Sequence, residues 1–187
     1  MGEPALIWKR VLELAERGRY STSPNPRVGA VIVAADGTVA GEGFHERAGG
    51  PHAEVAALRE AGVRARGGTL YVNLEPCAHQ GRTPPCADQV VAAGVSRVLA
   101  SIEDPDPRTR GAGIARLRGA GVEVETGGSE AEAARLNEVF LGSVASGRPF
   151  VHLKWAMSLD GKTAASTGDW FMRWLEMIIQ RSPHQTL

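Results

Sequence analysis

Apolar positions recur with a helical period at Leu6, Ile7, Val11, Leu12 and Leu14, which predicts an amphipathic helix over residues 4–18 ended by Gly18. SPNPRVG then reads as a loop and AVIV as a strand. Ala35-Asp36-Gly37 turns the chain into a second strand around TVAGEGF, so the two form an antiparallel hairpin. Pro51 suits a first helical turn, and HAEVAALREAG continues with helical spacing at Val55, Ala56 and Leu58, placing His52 and Glu54 in that turn. TLYVNLEP alternates at Leu70, Val72 and Leu74 and reads as a buried strand ending at Glu75-Pro76. Pro84-Pro85-Cys86 opens a helix through ADQVVAAG, with Gly94 as its stop. RVLASI predicts a strand, GIARLRGAG a helix, and VEVET a strand with Val122 and Val124 facing one way. SEAEAARLNEVFLGSVASG predicts one helix, with Ser129 and Glu132 in capping-box relation and a stripe at Leu136, Val139 and Phe140. Five strands alternating with five helices imply an α/β fold, a three-layer α/β/α sandwich with a mixed five-stranded sheet.

The chemistry concentrates between Pro51 and Cys86. That stretch holds His52, Glu54 and the chain's two cysteines, Cys77 and Cys86. One imidazole and two thiolates suit zinc, and three protein ligands leave a fourth tetrahedral position for water. A closed structural site normally takes four protein ligands, so the set points to catalysis. His52-Ala53-Glu54 and Pro76-Cys77 fit the zinc deaminase pattern H-x-E and P-C, in which the glutamate shuttles protons and does not ligate. Eight residues (AHQGRTPP) separate Cys77 from Cys86 where that pattern has two. If both cysteines start helices, the positive end of each dipole helps hold them as thiolates. The bland alternative is a structural metal clip, or two buried thiols beside a capping histidine.

LEPCAHQGRTPPC, with SPNPRVGAVIV, GEGFHERAGGPHAE and DPDPRTRGAGIARLRGAGVEV, resembles the deaminase domain of the bifunctional riboflavin-biosynthesis deaminase/reductase family, from about residue 5 to about residue 169. The resemblance implies a cytidine-deaminase-like fold and hydrolytic deamination of 2,5-diamino-6-(ribosylamino)pyrimidin-4-one 5′-phosphate. It implies zinc on His52, Cys77 and Cys86, with Glu54 as general acid and base. It also places Asn25 and His79 at the pyrimidine, His45 at a further matched substrate-binding position, Arg82 and Thr83 at the 5′-phosphate, and Asp104 and Asp106 at the ribose. Chemistry independently suits a guanidinium to phosphate and an asparagine to a pyrimidinone edge. Asn25 between two prolines is also a natural turn residue, His45 a residue that packs under a site, and Asp104-Pro105-Asp106-Pro107 a turn. The family more often has Asn where this chain has Asp106, and a carboxylate there would repel a nearby phosphate.

Composition narrows the function further. The 187 residues carry 21 basic and 21 acidic side chains, for zero formal net charge. That balance argues against a nucleic-acid footprint, and so against a tRNA deaminase. With both cysteines committed to metal, no disulfide is available, which fits a cytoplasmic protein. No 18-residue apolar run is present, so no membrane span is expected.

Residues 1–147 are expected to form the deaminase domain, and 148–187 a truncated start of a reductase domain. RPFVHLKWAMSLDGKTAASTGD resembles that domain's opening strand and loop, in which the position of Ala156 contacts NADP. The likeness stops after Asp169, so reductase activity and NADPH binding are not expected here. A strand without its sheet leaves an apolar edge over residues 150–180 that favours homo-oligomerisation. Phe171, Trp174, Leu175, Ile178 and Ile179 have partial helical spacing. Two competing readings remain: a deaminase of another amino-heterocycle, which would show in its substrate preference, and a non-catalytic zinc scaffold, which would show as folded, zinc-loaded protein without turnover.

Overall fold

Helix α1 (Glu3–Glu16) opens the chain, in a computed structural model that describes residues 3–81, 84–153, 157, 161–162 and 178–180. The buried side of α1 is set by Trp8, Val11, Leu14 and Ala15, whereas Leu6 is 51% exposed and faces solvent. Trp8 takes the anchoring place because its ring meets Tyr71 edge-on, centroids 5.4 Å apart.

The sheet contains β1 (Gly29–Val33), β2 (Val39–Phe44), β3 (Thr69–Val72), β4 (Arg97–Ala100) and β5 (Glu123–Thr126), in the order β2-β1-β3-β4-β5. The hairpin β1–β2 and the pair β1–β3 are antiparallel, while β3–β4 and β4–β5 are parallel. Between the strands lie α2 (Ala53–Ala61), α3 (Cys86–Ala92) and α4 (Ala112–Gly119). These three cover one face, packing on Ala30, Ile32, Leu70, Val72 and Val98. Helix α1 covers the other face over Val31, with Tyr71 and Leu99 at its edge. Side chains as fully buried as Ile32, Leu70 and Leu117 each contribute about 2 kcal/mol. The three-layer sandwich with a mixed sheet is as the sequence implies.

Strand β3 stops at Val72, three residues short of the expected Glu75. Asn73 ends it: its buried amide accepts Gly29 N–H at 2.9 Å and donates to Arg27 O at 2.9 Å, and so replaces a ladder bond. The expected single C-terminal helix is two, α5 (Glu130–Leu136) and α6 (Glu138–Ser146). Asn137 breaks it at φ −107°, ψ 18°, because its side chain bonds Arg27 N–H at 2.8 Å and Arg27 O at 2.9 Å. The expected capping box is not made: Ser129 has ψ 43°, outside the extended geometry of a capping residue, and its side chain makes no cap bond. Beyond α6, β6 (Phe150–His152) pairs antiparallel with β7 (Ile178–Gln180). Ile178 and Ile179 are therefore in a strand and not on a helical stripe, consistent with their β-branching; Phe171, Trp174 and Leu175 lie outside the described residues.

Helix α2 rests on β2 through small residues. Ala53, Ala57 and Ala61 are buried against Gly41 and Gly43, and a Cβ at Gly43 would fall 2.3 Å from Ala53 O and 2.5 Å from Ala57 N. No side chain fits unless the helix shifts. Gly43→Val is expected to cost about 3 kcal/mol through overpacking, read as a lower denaturant midpoint; an unchanged midpoint would show that α2 does not depend on this contact.

Candidate metal centre and active site

His52 is the N-cap of α2 and not a first-turn residue, with φ −74° and ψ 160°. Pro51 therefore stands outside the helix. The extended backbone is what an N-cap position requires, while His52 O still accepts Ala56 N–H at 3.1 Å. Cys86 is the first residue of α3 and is fully buried. Cys77 is not at a helix start but in the loop after β3. Its carbonyl accepts Ala87 N–H at 3.1 Å and its sulfur accepts Cys86 N–H at 3.4 Å, which docks the loop on the first turn of α3.

The ligand atoms of His52, Cys77 and Cys86 all lie within 4.8 Å of one another. His52 Nδ1 is 2.9 Å from Cys86 Sγ and 3.6 Å from Cys77 Sγ. Ligands at ordinary Zn–N and Zn–S lengths around a tetrahedral ion stand roughly 3.6 Å apart for N and S. One separation already matches, and the other needs to open by several tenths of an ångström. Donation from Cys86, then from His52, holds the Cys77 thiol well below its ordinary range, while Cys77, burial and Glu54 push Cys86 up. A bound zinc deprotonates such thiols outright. The donor set fits zinc, which His52, Cys77 and Cys86 would hold.

Glu54, the second residue of α2, is 3% exposed. Burial pushes its carboxyl up, against the opposing pull of His52. A carboxyl moved towards neutrality is suited to both taking and giving a proton.

Glu54, His52 and Cys77 line one cavity of about 520 Å³ together with Asn25, His45, His79, Asp104 and Asp106. That volume is in the range of small-molecule sites. The structure thus brings together all the expected site residues that it describes, with Cys86 buried behind them; Arg82, Thr83 and Ala156 lie outside the described residues. His45 does not act alone. Its Nδ1 is 2.9 Å from Pro51 O, which only accepts, so the proton belongs on Nδ1. Its Nε2 then accepts from Asn25 Nδ2 at 3.0 Å, which turns Asn25 Oδ1 away from the histidine. Burial lowers the His45 pKa and keeps this neutral form. His79 Nδ1 is 3.1 Å from the hydroxyl of buried Thr109.

Asp104 is 8% exposed, and burial raises its carboxyl to about 6, with Asp106 and Glu75 adding in the same direction. A raised carboxyl favours the folded state at low pH, and that advantage is lost as pH climbs from about 4 to about 6. Asp104→Asn keeps the acceptor for Asp106 N–H, 2.9 Å away, and removes the charge. The variant is expected to be more stable than the parent by about 2–3 kcal/mol at pH 8 and by roughly half that at pH 5. Denaturant unfolding at the two pH values checks this, and a difference independent of pH would contradict it.

Sequence reasoning missed three parts of the site. Glu75 accepts four backbone N–H groups, from Asp104 at 3.2 Å, Gly111 at 3.0 Å, Gly113 at 2.9 Å and Ile114 at 3.1 Å, and so ties the metal loop to the loop after β4 and the first turn of α4. A carboxylate within the apolar pattern just before Pro76-Cys77 was the available signal. Arg108 and a wall from α6 (Val139, Phe140, Ser143 and Val144) complete the cavity. Nothing local marks these, since the fold brings the loop after β4 and helix α6 to the cavity from far along the chain.

The profile of the cytidine and deoxycytidylate deaminase zinc-binding region matches residues 4–102. The riboflavin biosynthesis protein RibD of Escherichia coli is 55% identical over 160 residues, covering 86% of this chain and 43% of that protein. The structure of Acinetobacter baumannii RibD superposes with a TM-score of 0.85 at 53% identity, covering 89% of this chain and 47% of that one. The Thermotoga maritima diaminohydroxyphosphoribosylaminopyrimidine deaminase/5-amino-6-(5-phosphoribosylamino)uracil reductase has a TM-score of 0.81 at 44% identity, covering 92% of this chain and 49% of that one. The chain spans a little under half the length of these relatives. With the profile covering more than half of its residues, the chain belongs to the zinc-binding cytidine and deoxycytidylate deaminase family.

Proposed function

We propose that this chain hydrolytically deaminates 2,5-diamino-6-(ribosylamino)pyrimidin-4-one 5′-phosphate, the riboflavin-pathway ribotide. The observation that carries the reaction is the placing of His52, Cys77 and buried Glu54 on one cavity, with Cys86 closing the ligand set behind them. The substrate class follows from the names of the relatives that are about half identical over most of this chain.

Zinc, when bound, supplies Lewis-acid activation of water at neutral pH. Glu54 takes a proton from the attacking water, delivers it to the ring nitrogen next to the amino-bearing carbon, and passes the second water proton to the departing amine. The ring gains an oxo group and ammonia leaves, so atoms balance. Asn25, held by His45, presents Oδ1 to N–H donors on the ring edge. Asp104 and Asp106 accept from ribose hydroxyls, and His79 is steadied by Thr109 beside the ring. Arg82 and Thr83 are assigned to the phosphate on the resemblance alone.

Residues 1–147 form the catalytic unit in this reading. The substrate is a small molecule, and zinc-committed cysteines fit a reducing cytoplasm. Among the described residues no helix is long and apolar enough to cross a membrane. A substrate panel tests the reading: the ribotide is expected to turn over at least a hundredfold faster than cytidine, deoxycytidylate or guanine, and a preference for one of those would replace it.

A further inference from the structure

The cavity is unevenly charged. Glu54, Glu75, Asp104 and Asp106 line it, and Arg108 is the single Lys or Arg among the described lining residues. Arg108 makes a compact pair with Asp106, two residues before it. Asp106 Oδ1 accepts the Arg108 backbone N–H at 2.9 Å and Nε–H at 3.0 Å, and Oδ2 accepts Nε–H at 3.1 Å and Nη2–H at 2.5 Å. The pair spans the depth of the loop: the Asp106 side chain is 9% exposed and that of Arg108 56%. A guanidinium carries five N–H donors. Asp106 engages the one on Nε and one on Nη2, and the other three find no acceptor among the described residues.

We propose that Arg108 recognises the phosphate monoester of the substrate, with Asp106 as the buried carboxylate that holds its guanidinium at the cavity mouth. The proposal rests on the ribotide reading above and adds a specificity-determining residue to it. A bare carboxylate at position 106 would repel a phosphate. Paired at short range on its inner side, it becomes the anchor of a planar donor array that faces outward. A guanidinium fixed in this way loses little freedom when a phosphate displaces water from its remaining donors, and its fork matches two phosphate oxygens at once. A lysine's compact ammonium lacks the planar fork that holds a carboxylate on one edge and presents parallel donors to phosphate on another.

The test compares kcat/KM for the ribotide and for its phosphate-free riboside in the zinc-loaded parent, Arg108→Ala and Arg108→Lys. Alongside, calorimetric titration with ribose 5-phosphate and with inorganic phosphate reads binding without turnover. The preference for the phosphorylated compound is expected to fall at least tenfold in Arg108→Ala, with partial recovery in Arg108→Lys. Ribose 5-phosphate affinity is expected to fall by a similar factor, and inorganic phosphate to bind more weakly than the sugar phosphate. A preference within twofold of the parent in Arg108→Ala that still holds one zinc would overturn the assignment. If Arg108→Ala does not fold, Arg108→Gln takes its place, since the amide keeps the chain length and one donor pair. A parent that turns over neither compound yet binds ribose 5-phosphate through Arg108 would remove the ribotide reaction and leave the phosphate site. Ribotide turnover with an Arg108-independent preference would do the reverse.

Discussion

Glu54→Gln is expected to lower ammonia release by about 10³-fold or more while leaving one zinc per chain. Proton transfer by a placed side chain is worth typically 10²–10⁴-fold, and Glu54 is the buried carboxyl on the cavity wall beside the metal ligands. The amide fills the same volume, so the fold and the His/Cys/Cys cluster should persist. It cannot accept the water proton, and every later transfer depends on that first one. The decisive readout is kcat measured on protein whose zinc content has been determined. Undiminished turnover at full zinc occupancy would take the acid/base role from Glu54.

Cys86→Ser is the second large effect. The Cys86 thiol is fully buried at the start of α3, 2.9 Å from His52 Nδ1, and the Cys86 backbone N–H donates to Cys77 Sγ. Serine puts a hard, shorter, poorly acidic group where the ion needs a thiolate. Losing one of three ligands is expected to cost about 3–4 kcal/mol of zinc affinity, or roughly 10²–10³-fold. Zinc should then be stripped by a chelator concentration that leaves the parent loaded, and activity should follow the metal. A variant retaining stoichiometric zinc under that challenge would remove Cys86 from the ligand set.

The sandwich and the metal cluster were legible because their signals are local. Alternation at Leu70 and Val72, the hairpin turn at Asp36-Gly37 and the pair His52/Glu54 each announce themselves within a few residues. What escaped depends on partners distant in sequence. The helix read as continuous through residues 129–147 breaks at Asn137 because Asn137 bonds Arg27, 110 residues away. The capping box had the right residues, but the two glycines before Ser129, with φ of 123° and 106°, deliver the chain in another geometry. The alternating pattern ends a strand at Glu75, while its carboxylate collects N–H groups from the loop after β4 and the first turn of α4, which the β3–β4 crossover brings back. Arg108 sits two residues from a residue already singled out, yet only the folded loop shows that the pair lines the cavity.

The most direct measurement of the central claim is ammonia release from 2,5-diamino-6-(ribosylamino)pyrimidin-4-one 5′-phosphate by zinc-loaded protein, without NADPH, set against the same protein stripped of metal. Sustained turnover by the loaded protein, lost on stripping and regained on adding zinc, is the predicted result. No ammonia from folded protein carrying one zinc per chain would contradict it.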